Sequence, residues 1–181
     1  MLPVIDTERL HLRQLEETDA EQIFFLRSDP GILKYIDIQP ASTIDDALAF
    51  IKKIKDAEAI YWAITLKGSD ELIGTICIWN VNQDHSRAEI GFALHPTHQS
   101  KGLMAEAIEA VCNYAFTIMN LHSLEGRVHF KNIASMKTME KNGFVREAHF
   151  KEDYFVDGEF IDTVVYSKIT NLPAGSQGRK S

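Results

Sequence analysis

The stretch that most constrains this chain runs from Arg87 to Met119, where a short strand pattern gives way to a long helix pattern. Ala88-Glu89-Ile90-Gly91-Phe92-Ala93-Leu94 reads as a strand, ended by Pro96, which supplies no N–H to a ladder. After a turn, Ser100 to Met119 carries Leu103, Ala107, Val111 and Ala115 at four-residue steps, with Met104, Ile108 and Cys112 alongside. Glu106 and Glu109 fall outside that stripe, so this helix needs a sheet to cover its apolar face. A strand feeding such a helix is a building unit of layered α and β proteins.

The rest of the chain supplies the sheet. Thr7 to Gln14, Ile60 to Leu66, Leu72 to Val81, Ser123 to His129, Phe144 to Lys151 and Glu159 to Lys168 also read as strands, from alternation or β-rich runs. Lys67-Gly68-Ser69-Asp70 and Val156-Asp157-Gly158 are the turns between neighbours. Asp19 is placed to cap a helix through Ile23, Phe24 and Leu26 that stops near Asp29-Pro30-Gly31, and Gly31 to Tyr35 reads as a further short turn. Ser42 or Thr43 caps a second helix bearing Ile44, Ala47, Leu48, Ile51 and Ile54. Asn132 to Lys141 is a helix closed by Asn142-Gly143. With no repeat and no linker, residues 1–170 read as one domain and 171–181 as a loose tail of Gly, Ser and basic residues.

Charge narrows the function. Acidic residues outnumber basic ones by 26 to 19, a net charge of −7. A general nucleic-acid binder neutralises phosphates with Lys and Arg, so the balance argues against that class, leaves room for a local basic pocket, and suits a cationic substrate or partner. Cys77 and Cys112 are too few for a disulfide framework or a four-ligand zinc site. His95 and His98 lack a third ligand nearby, so no metal is expected and both read as turn residues. The opening Met-Leu-Pro-Val-Ile-Asp has no leader pattern and no stretch nears 18 apolar residues, so the expectation is a cytoplasmic protein without membrane association. The phosphate-loop, dinucleotide, serine-hydrolase and zinc-protease motifs are all missing.

One place is suited to an anion. Gln99-Ser100-Lys101-Gly102-Leu103-Met104 opens the long helix, and a helix start offers unpaired N–H groups and the positive end of a dipole. Gly102 lets a ligand approach the backbone, and Lys101 adds charge; the alternative is that Gly102 only shapes the turn. Gly91 in mid-strand marks a bulge or a close approach.

Gln99-x-x-Gly102-x-Met104, after Gly91-Phe92-Ala93-Leu94-x-Pro96, resembles motif A of the GNAT superfamily of acyl-CoA N-acyltransferases. Met104 departs from the family's small residue at that place. Asn132-Ile133-Ala134-Ser135 and Glu140-Lys141-Asn142-Gly143-Phe144 are similar to the family's next helix and its exit. Thr7-Glu8-Arg9-Leu10-x-Leu12-Arg13, Asp153-Tyr154 and Asp157-Gly158-Glu159-Phe160-Ile161-Asp162, ending in Tyr166, resemble the branch that acetylates N-terminal amines of ribosomal proteins. The resemblance spans roughly Thr7 to Lys168.

It implies an α+β, three-layer fold: a mixed, mostly antiparallel seven-stranded sheet with helices on both faces. It implies acetyl-CoA as acyl donor, its pantetheine along Phe92, Ala93 and Leu94, its pyrophosphate on Gln99, Ser100, Lys101, Gly102, Leu103 and Met104, and Asn132 on a pantetheine amide. Asn132 is equally a plain helix cap. Glu89 either takes the proton of the attacking amine or orients it. Ser135 is the candidate acid for the leaving thiolate, unless its hydroxyl is spent within its helix, and Tyr154 is its rival. The implied acceptor is a primary amine: a peptide N-terminus, whose α-amine is far more often neutral than lysine at pH 7, or a small cationic amine such as a polyamine, aminoglycoside or amino-acid derivative. A non-catalytic CoA-binding sensor is the non-enzymatic alternative. Members of the branch pair, so a homodimer stands open, although no exposed apolar stripe is legible.

Overall fold

A computed structural model describes residues 2–156 and 158–170. The expected tail and Asp157 of the hairpin turn lie outside the described residues. Among the described residues, eight strands form one open sheet: β1 (Ile5–Asp6), β2 (Leu10–Gln14), β3 (Ile60–Leu66), β4 (Leu72–Asn82), β5 (Arg87–Leu94), β6 (Ser123–His129), β7 (Val145–Val156) and β8 (Glu159–Ile169). Their order is β1-β2-β3-β4-β5-β6-β8-β7. β5 and β6 run parallel, and every other neighbouring pair is antiparallel. Five helices accompany them: α1 (Ala20–Leu26), α2 (Pro30–Leu33), α3 (Ile44–Asp56), α4 (Leu103–Thr117) and α5 (Ile133–Lys141).

Alternation along the strands divides the molecule into layers. Trp62 and Ile64 of β3 join a core with Ile90 of β5, Ala107, Ile108 and Val111 of α4, and Met139 of α5. Ala63, between Trp62 and Ile64, faces a second core with Ala20, Ile23 and Leu26 of α1 and Ala47 and Ile51 of α3. Successive side chains of a strand leave opposite faces, so α4 and α5 cover one face and α1 and α3 the other. Helices on both faces and a mixed, mostly antiparallel sheet are as the family resemblance implies. Among the described residues, no helix is long and apolar enough to cross a membrane.

Three departures from the sequence expectations have physical causes. The sheet has eight strands rather than seven, because β1 has only two residues, too few to show a period. Asp19 makes no cap bond to α1; its carboxylate accepts from Arg13 and from the Glu16 N–H instead. The strand from residue 144 does not end at Lys151: β7 continues to Val156 across a register shift between Phe150 and Tyr154, with Glu152 at φ 51°. Thr43 is the cap of α3, its hydroxyl and the Asp46 carboxylate exchanging bonds with each other's backbone N–H.

Candidate functional site

The site begins where two strands part. β5 and β6 pair only at Arg87↔Ser123, Ala88↔Leu124 and Glu89↔Glu125, while β5 stays paired with β4 as far as Leu94↔Gly74. Phe92, Ala93 and Leu94 are therefore laddered on one side and border a gap on the other. An open strand edge of this kind accepts an extended amide chain.

At the C-terminal end of β5 the chain makes a short 3₁₀ turn, Pro96–His98, and then the loop before α4. Gln99 anchors this loop: its N–H donates to the Pro96 carbonyl at 3.2 Å and its side-chain amide to the Leu94 carbonyl at 3.0 Å. Ser100 (φ 60°) and Gly102 (φ 76°) are both left-handed, and Gly102 is the N-cap, so α4 starts at Leu103 rather than Ser100. Leu103 and Met104 are buried and fix the first turn against the sheet.

Four residues that sequence reading left without a role surround the loop. The Arg9 guanidinium donates from Nε to Glu106 Oε2 at 2.6 Å and from Nη1 to the Lys101 carbonyl at 3.0 Å. The Thr7 hydroxyl and the Arg9 N–H donate to Glu106 Oε1 at 2.6 and 2.8 Å. Burial pushes the Glu106 carboxyl up, but these bonds and the Arg9 charge outweigh it and hold the group below its ordinary value. A Cβ built on Gly102 would lie 3.6 Å from Arg9 Nη2 and 3.9 Å from Lys141 Nζ. Glu106 stands outside the apolar stripe of α4, as its spacing predicts, but it is bonded rather than solvated. The signal was faint: Thr7-Glu8-Arg9 is visible as a motif, but nothing local shows that it meets a helix 97 residues later.

Asn132 is the N-cap of α5, its carbonyl oxygen accepting from the Ser135 N–H at 3.1 Å. Its side-chain nitrogen makes no bond to a described residue. The half-buried Ser135 hydroxyl likewise has no hydrogen-bond partner among the described residues.

Glu89 stands on the other face. Its neighbour Ile90 points into the core beneath α4 and α5, so Glu89 projects toward the α1 and α3 side. A register shift in β4 between Trp79 and Asn82, with Asn80 at φ 48°, brings the Asn80 amide to donate to Glu89 Oε1 at 2.7 Å. The irregularity expected from Gly91 thus lies opposite Glu89, while Gly91 pairs regularly with Cys77 and makes room for it: an added Cβ would come within 3.2 Å of the Cys77 sulfur. Burial pushes the thiols of half-buried Cys77 and buried Cys112 up to about 11, which leaves both protonated and unreactive near neutral pH.

Beside Glu89, Glu125 accepts from Arg87 at 2.9 Å, and Arg127 lies 3.7 Å from Glu125 and 3.5 Å from Asp153. The Tyr154 hydroxyl donates to Asp37, and that bond and charge raise its pKa. The structure thus gathers Glu89, Glu125, Arg127 and Tyr154 on one flank of the gap, and Asn132 and Ser135 on the helix that covers the opposite face. His95 and His98 both bond the Thr97 hydroxyl, at 2.7 and 2.9 Å, and His95 stacks on Phe25.

A strand gap that leads to a glycine-capped helix start is the arrangement the motif resemblance implies. Residues 9–145 match the family model described as an acetyltransferase (GNAT) domain. The chain belongs to the GNAT family. An uncharacterized N-acetyltransferase, p20 of Bacillus licheniformis, is 34% identical over 93% of this chain and 97% of that protein. Spermidine N(1)-acetyltransferase of Vibrio cholerae is 29% identical over 90% of this chain and 96% of its own length. The crystal structure of a GNAT-family acetyltransferase from Bacillus anthracis superposes with a TM-score of 0.84 at 30% identity, over 92% of this chain and 98% of that one. This GNAT protein is an acetyl-CoA-dependent acetyltransferase. Its own residues fit that donor: an open strand edge, a glycine whose missing Cβ leaves a cradle, and two cations bordering the cradle.

Proposed function

We propose that this acetyltransferase transfers the acetyl group directly from acetyl-CoA to the N-terminal amine of a peptide, in the first place of a ribosomal protein, held on the Glu89 flank of the β5–β6 gap. The observation that carries the reading is the end of the β5–β6 ladder at Glu89↔Glu125, which stations a carboxylate where the gap opens. The pantetheine pairs with Phe92, Ala93 and Leu94, and the Asn132 side-chain nitrogen holds one of its amides. Backbone amides from Ser100 to Met104 face the pyrophosphate, with Gln99 as their anchor.

The amine attacks the thioester carbonyl; the C–N bond forms and the C–S bond breaks. Glu89, oriented by Asn80, takes the amine proton directly or through water. The departing sulfur takes a proton from the Ser135 hydroxyl, which solvent restores. Ser135 stands on the helix that covers the face opposite Glu89, whereas Tyr154 stands on the Glu89 flank, so Ser135 is assigned to the sulfur and Tyr154 to the acceptor side. Glu89, Glu125 and Asp153 suit a cationic acceptor. Exposure of Asn80, of Trp79 (54%) and of Tyr154 (44%) gives a mouth open enough for an amine carried on a larger body. The free thiols of Cys77 and Cys112 suit a reducing compartment, the cytoplasm.

A second reading, a small polyamine acceptor, is favoured by the near full-length similarity to a spermidine acetyltransferase. A thiol-release assay with acetyl-CoA separates the two, run across free N-terminal peptides, blocked lysine peptides and polyamines. Turnover confined to free N-termini supports the first reading; turnover confined to polyamines replaces it by the second. Glu89→Gln is expected to lower kcat/KM by about 10²–10⁴-fold and to leave CoA affinity unchanged.

A further inference from the structure

We infer that Arg9 and Lys141 together hold phosphate oxygens of the acyl donor's adenosine-diphosphate end, with Arg9 set in place by Glu106. This rests on the donor phosphates lying at the loop before α4.

A guanidinium has five N–H donors in one rigid plane. In Arg9 the Nε side is taken by Glu106 and Nη1 by the Lys101 carbonyl, so the plane cannot turn. Nη2 is the nitrogen left over, and it is the one nearest the bare face of Gly102. Lys141 reaches the same point from the last turn of α5 and has no bonded partner among the described residues. Two cations thus converge on one open spot, served by a single carboxylate that lies on the far side of Arg9. Like charges brought together cost free energy, in a chain whose net charge of −7 offers ample acid for pairing. A multiply charged oxyanion between them removes that cost, and the planar fork of arginine matches phosphate geometry. Arg9 also grips the loop itself through Lys101, so one side chain both shapes the cradle and completes it.

Calorimetric titration of the parent, Arg9→Gln and Lys141→Gln with CoA, dephospho-CoA and pantetheine tests this. Each variant is expected to weaken CoA binding about tenfold and to flatten its salt dependence, with pantetheine affinity unchanged. In turnover, KM for acetyl-CoA rises while kcat at saturation holds. A variant penalty that vanishes with dephospho-CoA places the clamp on the 3′-phosphate; one that persists places it on the pyrophosphate, and both support the inference. Lys141→Gln removes no intramolecular bond, so it reads the contact even if Arg9→Gln disturbs the loop. CoA affinity unchanged in both variants overturns the clamp, as does an equal loss of pantetheine affinity. Gly102→Leu keeps the two levels apart. If it abolishes CoA binding while the cation variants bind normally, the loop placement stands and the clamp fails. If it binds CoA as well as the parent, the loop placement itself fails.

Discussion

Arg9 and Arg13 lie four residues apart, and each grips a carboxylate carried in from another element, yet the two pairs serve different ends. Arg13 is half-buried against the buried Asp19, their side chains 13% and 3% exposed. It donates to both Asp19 oxygens at 2.8 and 2.7 Å and to the carbonyls of Gln14 and Asp70 at 3.0 and 2.9 Å. That fork joins the end of β2 to the start of α1 and to the turn before β4, and its two terminal nitrogens are fully committed to these partners. Arg9 is 45% exposed and keeps one terminal nitrogen uncommitted beside Gly102. The difference teaches how one residue type becomes structural or functional. A buried charge must find all its partners inside the protein, whereas a half-exposed charge, oriented by a carboxylate, has donor capacity left for a ligand.

The comparison breaks most visibly at Asp19. Asp19→Ala removes both carboxylate bonds of the half-buried Arg13 and is expected to cost about 1.5–3 kcal/mol, seen as a lower urea midpoint with KM for acetyl-CoA unchanged in the folded enzyme. A rise in donor KM with little loss of stability would reverse the roles assigned to the two arginines. Arg9→Gln is the converse: stability falls by about 1 kcal/mol or less, since the pair is partly solvated, while donor KM rises about tenfold. Urea unfolding and initial rates measured on one preparation test both halves.

Acid sharpens the same contrast. Glu106 is held below its ordinary value near 4.5, so its contribution is fully present above that value and is lost as pH falls through its lower folded value. The parent is therefore expected to melt higher than Glu106→Gln at pH 7, and the two melting curves to converge at acid pH. A gap that widens on acidification contradicts the bonding described. The smallest effect belongs to the exposed pair Lys52–Asp56 of α3, at 2.7 Å with side chains 75% and 64% exposed. Lys52→Ala is expected to leave the melting temperature and all kinetic constants unchanged.

Legibility in the sequence follows the range of the interactions concerned. The buried stripe of α4 is legible from periodicity, and capping is legible to within a residue or a role: Ser42 or Thr43 for α3, which the structure resolves to Thr43, and Asn132 as one of its two readings. The proposed donor site, from Phe92 through Gly102 to Asn132, is legible as a motif resemblance and, at Gly102, as a helix start suited to an anion; the structure adds the parted strands beside Phe92 to Leu94. Less visible was the continuation of β7 past Lys151, since a residue at positive φ interrupts the alternation on which strand recognition depends.

From sequence alone came the alternation of strands and helices, the glycine at the helix start and the carboxylate on β5, all products of local dihedral and burial preferences. Tertiary structure decided which partners those residues meet. Strand parity would send Arg9 and Arg13 to the same face, but a turn in which the Thr7 N–H bonds the Leu10 carbonyl at 3.0 Å breaks the extended run, and Arg9 goes to α4 while Arg13 goes to α1. Asn80 meets Glu89 because the β4–β5 register shifts by a residue, and Lys141 meets Gly102 because α5 lies beside α4. Registers and helix placements minimise the free energy of the whole sheet and both cores at once, so no window of neighbouring residues contains them.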